Sequence, residues 1–435
     1  MRKKYFYIIV SLLLVFSIFA GCSPSDPATS DPTEKTTEPA GSDQVAAGDN
    51  DTFKIGAILP LSGANAHEGE VCQNAMEFAV NKINEAGGIK SLNGMKLQIV
   101  YGDHTANAQT AITETERLIV NEKVQSLLGP YNSAVGYTTA PVAERYKTPY
   151  LLNNSVADDI LKQGYEWVFR ANQTSSSNAV DQLSFLKELS DFGHDINKIA
   201  LVYENTEWGA SAAEAIRDYA TQDEYGFEIV LFESYPANTP DMTSLIIKLR
   251  NSGADVVIPE SYLNDALLFM KTMEEMQVDI PVFAGGGGFT DPGFVSQAGS
   301  TAENMFILMA WSTDILEKKP EWANQFNEEF KEKYGYDFAE LSSNSYQNVW
   351  ILADALERAG STEPDKIRQA LLETDITEGY SLINPYEGIK FGEVRGMTNQ
   401  NIYAQMLVSQ VQDGELRVVW PADLSPEAVD LRWND

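Results

Sequence analysis

Short apolar runs alternate with stretches of helical periodicity from residue 53 onward. That alternation confines the chain to an α/β architecture, in which βαβ units lay parallel strands beneath covering helices. The first set of runs is Lys54 to Leu59, Lys96 to Tyr101, Val124 to Leu128 and Tyr150 to Leu152, with amphipathic helices expected at Val71 to Ile83 and Ala111 to Val120. A second set follows at Lys198 to Tyr203, Phe227 to Phe232, Asp255 to Pro259 and Pro281 to Ala284. Their starts lie 29, 28 and 26 residues apart, as in repeated βα modules. Two sets predict two doubly wound, Rossmann-like lobes, the first over 52–171 and the second over 172–310. The tail resumes with helices at Glu321 to Tyr334 and Ser343 to Ala359, then ends in strands at Asn401 to Val408 and Glu415 to Trp420. Part of it, about 311–390, is assigned to the first lobe and the remainder, about 391–435, to the second. A chain that returns in this way crosses between lobes several times, and such crossings form a hinge.

Residues 1–21 place Arg2, Lys3 and Lys4 ahead of an apolar run from Tyr5 to about Phe19, the composition of a secretory signal peptide. The run is shorter than the roughly 20 residues a membrane-spanning helix needs. It ends in Ala20-Gly21-Cys22, which resembles the bacterial lipobox and implies that Cys22 is acylated and heads the mature protein. From Ser23 to Asn50 the chain is Pro, Thr, Ser, Asp, Glu, Ala and Gly with little apolar surface to bury, so 22–51 reads as a lipidated cysteine on a disordered tether. Such a coil reaches roughly 30 Å. The expectation is an extracytoplasmic protein, lipid-anchored to the outer face of the bacterial cell membrane.

Lys and Arg number 31 against 63 Asp and Glu, a net charge of −32, which repels polyanions and excludes a nucleic-acid partner. Hydrophobic residues make up 43% of the chain, enough to fill two cores. With Cys22 acylated, Cys72 stands alone and no disulfide framework exists. It shares a helical stripe with Met76, Ala79 and Ile83 and reads as a small buried residue. No Gly-x-Gly-x-x-Gly follows the first strand, no phosphate-binding Gly-x-x-x-x-Gly-Lys-Ser/Thr occurs, and Gly209-Ala-Ser211 lacks the glycine of a nucleophile elbow. An enzyme is therefore not expected. His67, Glu68, Asp103 and His104 all follow the first two strands, but without metal-ligand spacing, and no metal site is assigned.

In open α/β sheets ligands sit beyond the carboxyl ends of strands, against helix N-termini with free N–H groups. Two turns fit that place: Gly129-Pro-Tyr-Asn-Ser133 after the third strand, and Asn153-Asn-Ser155 after the fourth, which includes Asn154. Ser133 and Ser155 could donate hydroxyls to a carboxylate or carbonyl; on the residues alone they could equally cap helices. Trp208, Glu260 and Tyr262 fall at strand ends of the second lobe, and Tyr131 and Tyr346 offer aromatic surface from the first.

Ile55-Gly-Ala-Ile-Leu-Pro-Leu-Ser-Gly63, Ile83-Asn-Glu-Ala-Gly-Gly-Ile89, Leu128-Gly-Pro-Tyr-Asn-Ser133, Gly164-Tyr165 before Phe169-Arg170, and Val202-Tyr-Glu-Asn-Thr-Glu-Trp-Gly209 occur in this order over nearly the whole mature chain. In that order and spacing the chain resembles the leucine/isoleucine/valine-binding proteins among bacterial periplasmic binding proteins of the type I fold. The resemblance implies a monomer that uses no cofactor and delivers a small amino-acid-like solute to the permease of an ABC importer; a membrane-tethered ligand sensor on the same fold is left open. It implies that Ser133, Asn154 and Ser155 hold the solute's carboxylate, and that Trp208, Tyr262, Tyr131 and Tyr346 line the pocket. It also implies a departure. Where family members often place a glutamate against the ligand's ammonium, this chain aligns Gly287, within Gly285-Gly-Gly-Gly288, leaving Glu68 and Glu260 as candidate replacements.

Overall fold

The computed structural model describes residues 52–426 and 429–432; the signal peptide, Cys22 and the tether lie outside the described residues. The first strand, β1 (Thr52–Leu59), is followed by β2 (Lys96–Asp103), β3 (Ser126–Gly129), β4 (Tyr150–Leu152) and β5 (Val168–Arg170). They pair in parallel in the order β2-β1-β3-β4-β5. The next group is β6 (Lys198–Glu204), β7 (Glu228–Tyr235), β8 (Val256–Glu260), β9 (Phe283–Ala284) and β10 (Phe306–Met309). Here β7-β6-β8 and β9-β10 are parallel sets, and a parallel bridge from Val257 to Val282 joins them into one row. The last strands are β11 (Asp375–Ile376), β12 (Ile389–Val394), β13 (Met397–Asn401), β14 (Leu407–Gln412) and β15 (Glu415–Trp420).

The fate of this tail corrects one expectation. The strand read as Asn401 to Val408 is two strands on two sheets. β13 pairs in parallel with β5, and β12 and β11 add antiparallel beyond it. β14 then pairs antiparallel with β10 and carries β15. A two-residue turn at Arg395-Gly396 folds β13 back on β12, so the chain stays with the first sheet through Asn401 rather than leaving near 391. The crossings between sheets run over residues 171–174, 310–312 and 402–406.

Strands covered on both faces bury every residue, as β3 and β8 do. Against the first sheet lie the helices Ala66–Glu85 and Glu340–Ala359, packed on each other. The former buries Val71, Cys72, Ala75, Met76, Ala79 and Ile83, a stripe at helical spacing. Burial pushes the Cys72 thiol up to about 12, so it stays protonated and inert.

Candidate ligand-binding cleft

Five of the expected side chains are set by the ends of strands. Tyr131 follows β3 and Asn154 follows β4; Trp208 opens the helix Glu207–Ala220 after β6; Tyr262 follows β8; Gly287 follows β9. All five line one cavity of about 30 Å³, together with Gly285. The crossing and its sequel supply Gln173 and Asn178, and the N-terminus of the helix Glu340–Ala359 supplies Glu340 and Leu341. Both lobes meet over this space. The Tyr131 and Tyr262 rings lie 5.8 Å apart, and Tyr262 stacks obliquely on Trp208 at 5.1 Å. Asn132 Nδ2 donates to Asn65 Oδ1 at 3.1 Å and to Tyr262 Oη at 3.4 Å, the second bond spanning the cleft.

The glycines are dictated by close approach. A Cβ on Gly285 would overlap the Glu260 carboxylate, and one on Gly287, whose φ is +61°, would overlap the Trp208 ring. An acidic side chain at 287 therefore has no room, because Trp208 fills the space it would enter.

Two carboxylates stand at this end of the cavity. Glu340 is buried, accepting from the Ala310 N–H at 2.9 Å and from Gln173 Nε2 at 2.8 Å, and burial pushes it up to about 7. Glu260, behind Gly285, is 1% exposed and its Oε2 has no hydrogen-bond partner. Burial first, then the nearby Glu204 and Glu340 charges, hold it well above the usual carboxylate range. At the opposite turn, Arg170 is fully buried and donates to the Ser155 and Ala157 carbonyls at 3.1 and 2.9 Å and to Gln400 at 2.7 Å. Because a trans peptide points its N–H opposite to its carbonyl, the Val156 N–H faces away from Arg170. Val156 itself lines the cavity.

The remaining expected residues stand elsewhere. Ser133 Oγ accepts from the Ala157 N–H at 3.3 Å, and Ser155 Oγ donates to the Pro130 and Asn132 carbonyls at 3.2 and 3.1 Å. Both serines thus stitch the two turns together behind the cavity wall. Tyr346, expected on that wall, packs instead in the first lobe among Phe78, Phe326 and Phe338, since helical spacing turns it inward from Glu340. Glu68 is buried beside Asn65, whose Nδ2 lies 3.5 Å away, and burial raises it. Its neighbour His67 pairs across the cleft with Asp291. Asp103 caps the backbone at Leu61 and Thr105, and His104 is buried and held down to about 4. Among the described residues no group of three or more His, Cys, Asp or Glu is placed to hold a metal ion.

Glu340, Gln173 and Asn178 were not anticipated. An acid at the first position of a helix is the ordinary complement to the helix dipole, so only the fold distinguishes Glu340 from a surface residue.

The profile of the periplasmic binding protein family matches residues 52–415. The chain is 33% identical over 375 residues to Leu/Ile/Val-binding protein homolog 8 of Brucella abortus, covering 85% of this chain and 90% of that one. The substrate-binding protein LivJ of Streptococcus pneumoniae, solved with isoleucine, superimposes with a TM-score of 0.72 at 22% identity, over 85% of this chain and all of that one. A solute-binding protein of R. palustris, solved with benzoate, gives the same score at 17% identity, over 87% and 98% of the two chains. The chain belongs to the periplasmic binding protein family and has its type I fold.

Proposed function

We propose that this protein is an extracytoplasmic solute-binding lipoprotein, which captures a small amino-acid-like solute between its lobes and delivers it to an ABC importer. The observation that carries this reading is the composition of the cavity wall. Tyr131 and Asn154 come from one sheet, Trp208 and Tyr262 from the other, and Gln173 from a crossing, so only the closed arrangement assembles the site. Solute entry requires the lobes to part. The names of the Brucella and Streptococcus relatives support a branched-chain amino acid or a close analogue. The wall contains no serine, cysteine, lysine or histidine, and its one carboxyl, Glu340, is bonded to Gln173 and the Ala310 N–H rather than to a nucleophile, which favours binding over catalysis.

A thermal-shift screen of amino acids, their amides and small carboxylates tests the reading. A solute at 100 times its dissociation constant stabilises the bound state by about 2.7 kcal/mol. A hit should also reduce the radius of gyration in solution scattering. A screen in which nothing shifts the melting temperature would remove the proposed role.

A further inference from the structure

We infer that a groove on the hinge, separate from the cleft, is a second site, which takes a small zwitterion such as an ω-amino acid and through it biases the two lobes. The inference does not depend on what the cleft captures.

The groove encloses about 440 Å³. Its walls come from both lobes: Pro385 and Tyr386 precede β12 of the first sheet, whereas Trp420 ends β15 of the second. Met406, in the crossing at 402–406, lies between them in the chain and lines the same space. Asp181 and Lys319 also line it, with opposite charges, yet among the described residues neither enters an ion pair. Each is held by main chain instead. Lys319 Nζ donates to the Leu382 carbonyl at 3.0 Å and to the Asn384 carbonyl, and Asp181 Oδ2 accepts from the Met406 N–H at 3.0 Å. An ammonium has three N–H donors and a carboxylate about four acceptor positions, so both keep capacity. Burial holds the Lys319 amine down to about 8 and pushes the Asp181 carboxyl up to about 6, so near neutral pH both are charged at a cost that a charged partner relieves. A lone anion or cation would satisfy one of the two and be repelled by the other. A zwitterion satisfies both, with its carboxylate toward Lys319 and its ammonium toward Asp181, while Tyr386, Trp420 and Met406 offer apolar surface to the carbons between. The remaining charges of the groove, Lys318, Glu387 and Asp423, are exposed, where water and salt screen them.

The groove is joined to the cleft by two hydrogen bonds. Tyr386 Oη donates to Gln173 Oε1 at 3.5 Å, and Gln173 Nε2 donates to Glu340 at 2.8 Å; Gln173 and Glu340 line the cleft cavity. Lys319 fastens residues 382–384 of the first lobe, whereas Asp181 stands on a helix whose Ala179 and Leu183 pack in the core of the second. Hinge rotation moves one charge against the other. An occupant that touches both therefore binds one hinge angle more tightly and shifts the lobes toward it.

The test is a titration of the full mature chain, isotopically labelled at its tryptophan indoles and followed by magnetic resonance. The probes are glycine, γ-aminobutyrate and ε-aminocaproate, which set the two charges at increasing separations, with butyrate and propylamine as single-charge controls. Trp420→Phe and Trp208→Phe identify the signals of the groove and of the cleft. At least one zwitterion should shift the Trp420 signal saturably, and the controls should not. Lys319→Met and Asp181→Asn should each weaken that binding about tenfold or more, the scale of losing one hydrogen bond to a charged group. Circular dichroism shows that each variant is folded. Trp208→Ala strips the cleft wall and should leave the Trp420 shift in place. In the native chain the Trp208 signal should move with the same midpoint as that of Trp420. A Trp420 signal that no zwitterion moves, or that butyrate or propylamine moves as far, overturns the inference. So does a shift that survives both charge variants, or one that disappears in Trp208→Ala, which would place the probe in the cleft. A Trp208 signal that stays still while that of Trp420 saturates overturns the action on the lobes.

Discussion

His67 Nε2 lies 3.0 Å from Asp291 Oδ2, joining the first helix of one lobe to the loop after β9 in the other. The bond to Asp291 raises the imidazole above its ordinary value, assisted by the Glu68 and Glu70 charges and opposed by partial burial. A base whose value rises on closure favours the closed state fully below its open-state value of about 6.5 and ceases to do so as pH climbs through the raised one. Solute affinity should therefore be higher at pH 6 than at pH 8. Half the His67 side chain is exposed, so solvent screening limits the pair to about 0.5–1 kcal/mol, or two- to fivefold. His67→Gln should lower affinity at pH 6 and leave it unchanged at pH 8; an equal effect at both would dissociate the histidine from closure.

The Glu340 carboxyl, pushed up to about 7 by burial, predicts a pH-dependent stability difference in the solute-free protein. Its proton is held more tightly in the folded chain than in the unfolded one. This contribution is complete below about pH 4.3, the unfolded glutamate value, and is lost as pH rises through 7. Glu340→Gln should accordingly match the native melting temperature most closely at pH 4 and exceed it at pH 8, by about 1–3 kcal/mol in stability. A variant equally destabilised at both values would show that hydrogen bonding to Ala310 and Gln173, not charge burial, dominates.

Gly285→Ala sets a methyl against the Glu260 carboxylate and should cost about 1–3 kcal/mol, the usual penalty for overpacking. Removing the obstruction with Glu260→Ala in the same chain should recover part of that loss. A strictly additive double variant, measured by urea unfolding, would mean that the two positions do not press on each other.

Ser133→Ala removes the acceptor for the Ala157 N–H and should cost about 1 kcal/mol of stability. Because the hydroxyl lies behind the wall, solute affinity should change less than threefold. A large affinity loss at unchanged stability would return Ser133 to the site.

Anchoring should depend on one sulfur atom. Cys22→Ala should abolish fatty-acid labelling and lipoprotein maturation while leaving solute binding intact; continued labelling would refute the lipobox reading.

The elements legible in the sequence were those whose buried faces are apolar. β4, β15 and the helix Glu321–Tyr334 begin and end where periodicity placed them. The helix Glu340–Ala359 was expected to start three residues late, and the reason is chemical. Its first turns bury Ser342, Ser343, Asn344, Ser345, Gln347 and Asn348, a polar face that resembles a loop to any reading based on hydrophobicity. The fold satisfies that face with partners distant in sequence: Asn344 Nδ2 donates to Asn154 Oδ1 at 3.0 Å, and Asn348 Nδ2 to the Leu152 carbonyl at 3.0 Å. Glu340 was missed with it. Trp208 and Tyr262 were legible as cavity residues because each falls in the turn or first helical turn after a strand, whereas Tyr346, in the second turn of its helix, was misplaced by the same polar stretch.

The late pairing of β13 with β5 and of β14 with β10 has a consequence for the order of folding. Neither sheet is complete until the final strands have been synthesised. A chain ending near residue 310 would present β5 and β10 as open edges, each an invitation to pair with another molecule.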